Sequence, residues 1–181
     1  MKLPVSRLSA FAQGKNVVHV VIETPKCSRI KYSYDAKTGL MRVKRALPEG
    51  MAFPFNFGFI PSTLGEDGDA VDILILNQEA LATGCYLVAR LLGVIEAEQT
   101  EGKKMTRNDR LIGMALPKET PSEFEEIELT KKVCTEIEHF FAAYNQLDGK
   151  KFKVLGQRGL KQAQKMVWQG IKRAKKSKGK K

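Results

Sequence analysis

Histidine is scarce. His19 and His139 are the only two, and with so few soft or borderline ligands the chain offers little that a zinc site would prefer; both read as structural. Cysteine is scarce too. Cys27, Cys85 and Cys134 are odd in number, widely spaced and without a Cys-x-x-Cys pair, which predicts reduced thiols in a cytoplasmic setting rather than a disulfide framework. Long apolar runs are missing: the longest, residues 85–97, carries Arg90 and Glu96, so no segment is expected to cross a membrane. Pro4, Ser6 and Arg7 break the amino-terminal stretch short of signal-peptide length, and secretion is not expected. Acids are absent from the last ten residues, where Lys172, Arg173, Lys175, Lys176, Lys178, Lys180 and Lys181 carry most of the net charge of +11. Such a run reads as a solvated, disordered basic tail, residues 172–181, behind a single domain of residues 1–171.

What remains is an ordinary globular sequence. A chain of 181 residues can bury roughly 70% of its unfolded surface without covalent staples. Residues 16–23 form a β-branched run closed by Thr24-Pro25, and residues 30–34 and 40–45 flank a turn at Gly39, predicting a strand and then a hairpin that displays Lys31 and Arg45. Residues 51–61 are aromatic, punctuated by Gly and Pro, and lack a helical period. Strands are expected at residues 71–76, 85–98 and 110–116, with a polar turn at residues 100–104. The period then changes. Val133, Ile137, Phe140, Phe141, Tyr144 and Leu147 recur at helical spacing before Asp148-Gly149, predicting a helix over residues 130–147. A short strand at residues 152–155 and a terminal helix marked by Leu160, Ala163, Val167, Ile171 and Ala174 complete the reading.

The chemistry concentrates in Asp67-Gly68-Asp69-Ala70-Val71-Asp72, at the mouth of an apolar strand. Two ionised carboxylates ~4 Å apart repel by about 4 kcal/mol at an effective dielectric of ~20, so the trio must be hydrated apart, partly protonated or neutralised by a cation. Mg²⁺ is the natural candidate, a hard ion that takes one or two carboxylates and shares substrate phosphates. The same residues also suit an Asp-Gly turn before a buried strand; the chemistry alone leaves both open. A calcium-binding EF-hand loop is excluded by Val71, Asp72 and Gln78. An Asp-x-Asp phosphatase nucleophile is excluded because the apolar strand follows the acids instead of preceding them.

The acidic run resembles the signature of soluble family I inorganic pyrophosphatases, with Ala70 where that signature has proline. The resemblance extends in order and spacing through Ile22-Glu23-Thr24-Pro25, Ile30-Lys31-Tyr32, Arg45, Asn56-Phe57-Gly58-Phe59-Ile60-Pro61 and His139-Phe140-Phe141 leading to Tyr144. It implies an α+β, mainly β fold: a five-stranded, OB-like closed barrel with two main helices outside it. It implies Mg²⁺-dependent hydrolysis of pyrophosphate to two phosphates by a cytoplasmic homo-oligomer. By the same resemblance Asp69 is the carboxylate that activates water, Asp67 and Asp72 are metal ligands, Lys31, Arg45 and Tyr144 contact phosphate, and Glu23 supports them.

Several positions depart from the family pattern. Phe57 stands where many members have tyrosine, Ser33 replaces an acid, Asn145 replaces a lysine, and Gln99 and Asn108 fall where two further metal-binding aspartates are expected. Asp109 is the expected replacement metal ligand, through a bulge or a one-place shift, and Lys151 is expected to restore positive charge near phosphate, as is Arg158. Two alternatives stay open: a catalytically weakened relative that binds phosphate compounds or a partner, and an OB-like nucleic-acid binder using the basic tail.

Overall fold

The computed structural model describes Val5, residues 8–116 and residues 129–179, without the side chain of Lys178. Pro4, Ser6, Arg7, Lys180 and Lys181, used above, lie outside the described residues.

A short strand β1 (Phe11–Gln13) pairs with β2 (Val17–Thr24), and a hairpin of β3 (Ile30–Asp35) and β4 (Leu40–Ala46) forms a two-stranded sheet of its own. The main sheet continues with β5 (Asn56–Phe59), β6 (Asp72–Ile75), the 16-residue β7 (Tyr86–Glu101), β8 (Lys104–Arg107) and β9 (Arg110–Ala115). Helix α1 (Lys131–Gln146), strand β10 (Lys151–Gly159) and helix α2 (Leu160–Lys178) follow. β2 pairs with β5, β5 with β6, β6 with β9, β9 with β7 and β7 again with β2. These five strands therefore close into a ring, the layout implied by the family resemblance. Among the described strands, β6–β9 is the one parallel pair.

Alternation along β6 explains its continuous apolar sequence. Ile73 and Ile75 face one core, with Val20, Ile22, Leu111 and the α2 residues Ala163 and Val167. Leu74 and Leu76 face another, with Phe53, Phe57, Ile112 and the α1 residues Ile137 and Phe141. Successive strand residues point to opposite faces, so a strand covered on both sides must be apolar throughout. Thr130 caps α1 by accepting the Val133 N–H at 3.2 Å, the expected role of a hydroxyl at that position.

Gly58 allows the closest strand approach. A Cβ there would run into the Val21 carbonyl oxygen of β2, a backbone atom that cannot step aside alone. Gly58→Ala is therefore expected to cost about 3 kcal/mol, at the upper end for overpacking, read as a lower midpoint in urea unfolding.

Three expectations need correction. The polar stretch at residues 100–104 is more than a turn: β7 runs to Glu101, folds back at Gly102 (φ +58°) and returns as β8. The strand expected at residues 152–155 extends over Lys151–Gly159, because it pairs along the outer half of β7 from Thr100 to Gly93. The basic segment expected as a disordered tail carries α2 on to Lys178. Lys and Arg are good helix formers, and Arg173 is tied down by its Nε donating to the Leu64 carbonyl at 2.8 Å. No helix among the described residues is long and apolar enough to cross a membrane.

Candidate active site

A cavity of about 1150 Å³ opens between the β3–β4 hairpin, the acidic loop before β6, the end of α1 and the β7–β9 wall. The loop is anchored from below. Thr63 is buried, accepts the Val71 N–H at 3.0 Å and donates to the Ile60 carbonyl at 2.6 Å. Leu64 N–H donates to Gly170 O of α2 at 3.0 Å, and a Cβ on Gly170 would sit 2.8 Å from Val71 Cγ2, so glycine lets the helix approach. Gly68 takes φ +95° between the first two acids, a backbone state that suits glycine.

Asp67 and Asp69 sit on this loop at the cavity rim. Asp67 Oδ1 accepts the Asp69 N–H at 3.1 Å, and loss of hydration against the loop raises its carboxyl above the ordinary value. Among the described residues no hydrogen bond or ion pair reaches the Asp69 carboxylate. Asp72 is deeper. Burial pushes its carboxyl up to about 6, against the pull of Arg110 and Lys31, and Arg110 Nη1 lies 2.6 Å from its Oδ2.

The hairpin contributes cations. Lys31 and Arg45 face each other across β3 and β4. Lys31 Nζ lies 3.5 Å from Glu23 Oε2 and 3.7 Å from the centre of the Phe57 ring. Burial lowers the Lys31 pKa, opposed by Glu23 and Asp72. Glu23, itself buried, also accepts the Tyr34 N–H at 2.7 Å, so one carboxylate fixes both the ammonium and the hairpin that carries it. Phe57 thus serves as a cation–π floor for the Lys31 ammonium. Arg45 is bound to α1: it pairs with Asp148, donates to Tyr144 O at 3.3 Å and lies over the Tyr144 ring at 4.2 Å. Burial raises the Tyr144 hydroxyl pKa, with Arg45 opposing.

Seven of the nine expected site residues therefore line one cavity: Glu23, Lys31, Arg45, Asp67, Asp69, Asp72 and Tyr144. Two do not. Asp109 turns away to accept the Ala97 N–H at 2.9 Å and pair with Arg107 at 2.8 Å, while Asn108 lines the cavity. Asp109 lies in the link between β8 and β9, and these two contacts hold its carboxylate away from the cavity. Lys151, the first residue of β10, lies outside the cavity, and Lys150 lines it instead, 3.0 Å from Glu101. Arg158 pairs with Glu96 rather than with a cavity group.

Arg110 is the residue that reading the sequence for its acids passes over. It opens β9, whose six residues are all buried, and a charged residue heading such a strand was the available signal. Its Nε is buried with no hydrogen-bond partner among the described residues, a condition that costs about 1–3 kcal/mol.

The donor set suits a divalent ion on one side of the cavity. A small hard cation that uses one or two carboxylates and completes its shell with water and phosphate oxygens has Asp67 and Asp69 available at the rim. The opposite wall does not fit one: Asp72 is engaged by Arg110, and Asn108 donates to Gln99 Oε1 at 2.6 Å. Among the described residues no three His, Cys, Asp or Glu converge as a metal cage.

Residues 20–175 match the inorganic pyrophosphatase family. The chain is 37% identical to an inorganic pyrophosphatase of Mesorhizobium japonicum, over 95% of this chain and 99% of that protein. It is 39% identical to one of Aquifex pyrophilus, over 90% and 94%. The crystal structure of inorganic pyrophosphatase from Thermus thermophilus superimposes with a TM-score of 0.81 at 35% identity, covering 94% of this chain and 98% of that one.

Proposed function

The chain belongs to the inorganic pyrophosphatase family and is a hydrolase of pyrophosphate, and from that premise we propose which residues carry the reaction and which ion assists it. The supporting observation is one cavity lined both by the uncommitted Asp69 carboxylate and by a set of fixed cations.

Asp69 takes the proton of the attacking water. Lys31 and Arg45 hold phosphate oxygens, and Tyr144 adds its hydroxyl. Glu23 keeps Lys31 in place. Attack at one phosphorus breaks its bond to the bridging oxygen, and the departing phosphate gathers charge that cations fixed beforehand stabilise without reorganising. The family is metal-dependent; the ion proposed here is Mg²⁺, at Asp67 and Asp69 together with substrate oxygens. When bound it supplies positive charge against the phosphates and makes a nearby water more acidic. The setting of this reading is a cytoplasmic homo-oligomer, and the unpaired Cys27, Cys85 and Cys134 agree with a reducing compartment.

The test is phosphate release from pyrophosphate. Release is expected with Mg²⁺, with loss on chelation and recovery when the ion is returned. Release no faster than background at saturating Mg²⁺ would reject the assignment and favour a weakened, phosphate-binding relative, a reading that rests on the neutral Gln99 and Asn108 amides in the wall.

A further inference from the structure

The β7–β9 wall already holds a cation of its own. Arg110 is 5% exposed, and one of its nitrogens carries several partners: Nη1 lies 2.6 Å from Asp72 Oδ2, donates to Asn108 Oδ1 and reaches the Asp109 carbonyl at 3.2 Å. Asn108 is braced in turn by Gln99. Its opposite edge has none of this. Nε is buried without a partner, and Nη2 makes no hydrogen bond or ion pair with the described residues. The Phe141 and Phe57 rings face the guanidinium carbon at 4.8 and 5.9 Å, which restrains its plane. Nε and Nη2 together form the fork that matches two oxygens of one phosphate.

A divalent ion beside Asp72 would have to share that carboxylate with a guanidinium and take neutral amides as further ligands. Like charges at such range exclude one another. We propose that Arg110 replaces a divalent ion on this wall, binding the diphosphate through its Nε–Nη2 edge, so that the metal requirement is confined to the Asp67 and Asp69 rim. This deepens the pyrophosphate reading and rests on it.

Imidodiphosphate, a diphosphate that resists hydrolysis, is the probe. By calorimetry in the presence of chelator, the parent protein is expected to bind it without metal. Arg110→Gln should bind it about tenfold or more weakly, and Arg110→Lys several-fold more weakly, because a point charge lacks the fork. In the presence of imidodiphosphate, Mn²⁺ counted by electron paramagnetic resonance should show a further ion in the Arg110→Gln/Asn108→Asp protein, where Asp72 and a new carboxylate can share it. A parent that needs metal to bind the probe, an affinity that neither single variant lowers, or equal Mn²⁺ counts would each overturn the proposal. If circular dichroism shows a glutamine variant unfolded, Arg110→Lys decides, since it keeps a charge beside Asp72. Failure of the pyrophosphate reading itself is seen separately, as a parent protein that releases no phosphate with Mg²⁺.

Discussion

The Asp69→Asn protein is expected to release phosphate from pyrophosphate about 10²- to 10⁴-fold more slowly than the parent, the range a positioned general base contributes. The amide has nearly the shape of the acid but cannot take a proton from water. Asp69 suits this comparison because its carboxylate is exposed at the rim and no hydrogen bond or ion pair among the described residues depends on it. The folded structure should therefore be indifferent to the change: the melting temperature should stay close to the parent's, and imidodiphosphate should still bind through Lys31, Arg45 and Arg110. Steady-state kinetics should show the loss in kcat. Full turnover in this variant would remove Asp69 from its role and move attention to Asp67, whose Oδ1 already accepts the Asp69 N–H.

Phe53→Ala is expected to lower stability by about 3–5 kcal/mol, the cost of emptying a buried aromatic site. Phe53 is 1% exposed and its ring lies 5.0 Å from Phe140, 5.7 Å from Phe57 and 5.7 Å from Tyr144. Its backbone also belongs to the frame, accepting the Cys27 N–H at 2.8 Å and donating to the Ser28 carbonyl at 3.1 Å. The ring thus joins α1 to the base of the hairpin. Its removal should loosen the helix end that holds Tyr144 and Arg45, so turnover should fall along with the urea midpoint. An unchanged midpoint would show that the neighbouring rings collapse into the space at little cost. A change in the denaturant slope would instead point to an altered unfolded state or a lost two-state transition.

Much of this arrangement is legible in the residue pattern, and the failures share a cause. The β-branched run at residues 16–23, the hairpin around Gly39 and the periodicity of α1 follow from local chemistry, and each element forms close to its expected bounds. The acids before β6 and the cations of the hairpin were identifiable by type and spacing from the family resemblance, and they do meet in one cavity. Asp109 and Lys151 miss the cavity by a single residue each. For Lys151, at the start of β10, that difference reverses the side chain's face, and the face turned inward is set by pairing with a distant partner, Thr100; Asp109, in the link between β8 and β9, is turned by its contacts with Ala97 and Arg107. β1 and β8 are short and polar or unpatterned, and exist because longer strands offer them edges. The helical extent of the basic segment depends on Arg173 reaching the acidic loop, a tertiary contact that a run of lysines does not announce.

The parallel alignment of β6 and β9 has a consequence for folding. Ile73 lies beside Leu111, so the strands begin together and their first residues, Asp72 and Arg110, become neighbours. Residues almost forty positions apart in the chain must find this pairing before the acid has its counterion, and contacts of such separation are slow to form. A chain holding only its local hairpins would have Asp72 without that partner and no braced guanidinium to offer phosphate. Affinity for a diphosphate thus reports on strand registration: the anion can stabilise only the chain in which β6 and β9 have met in register.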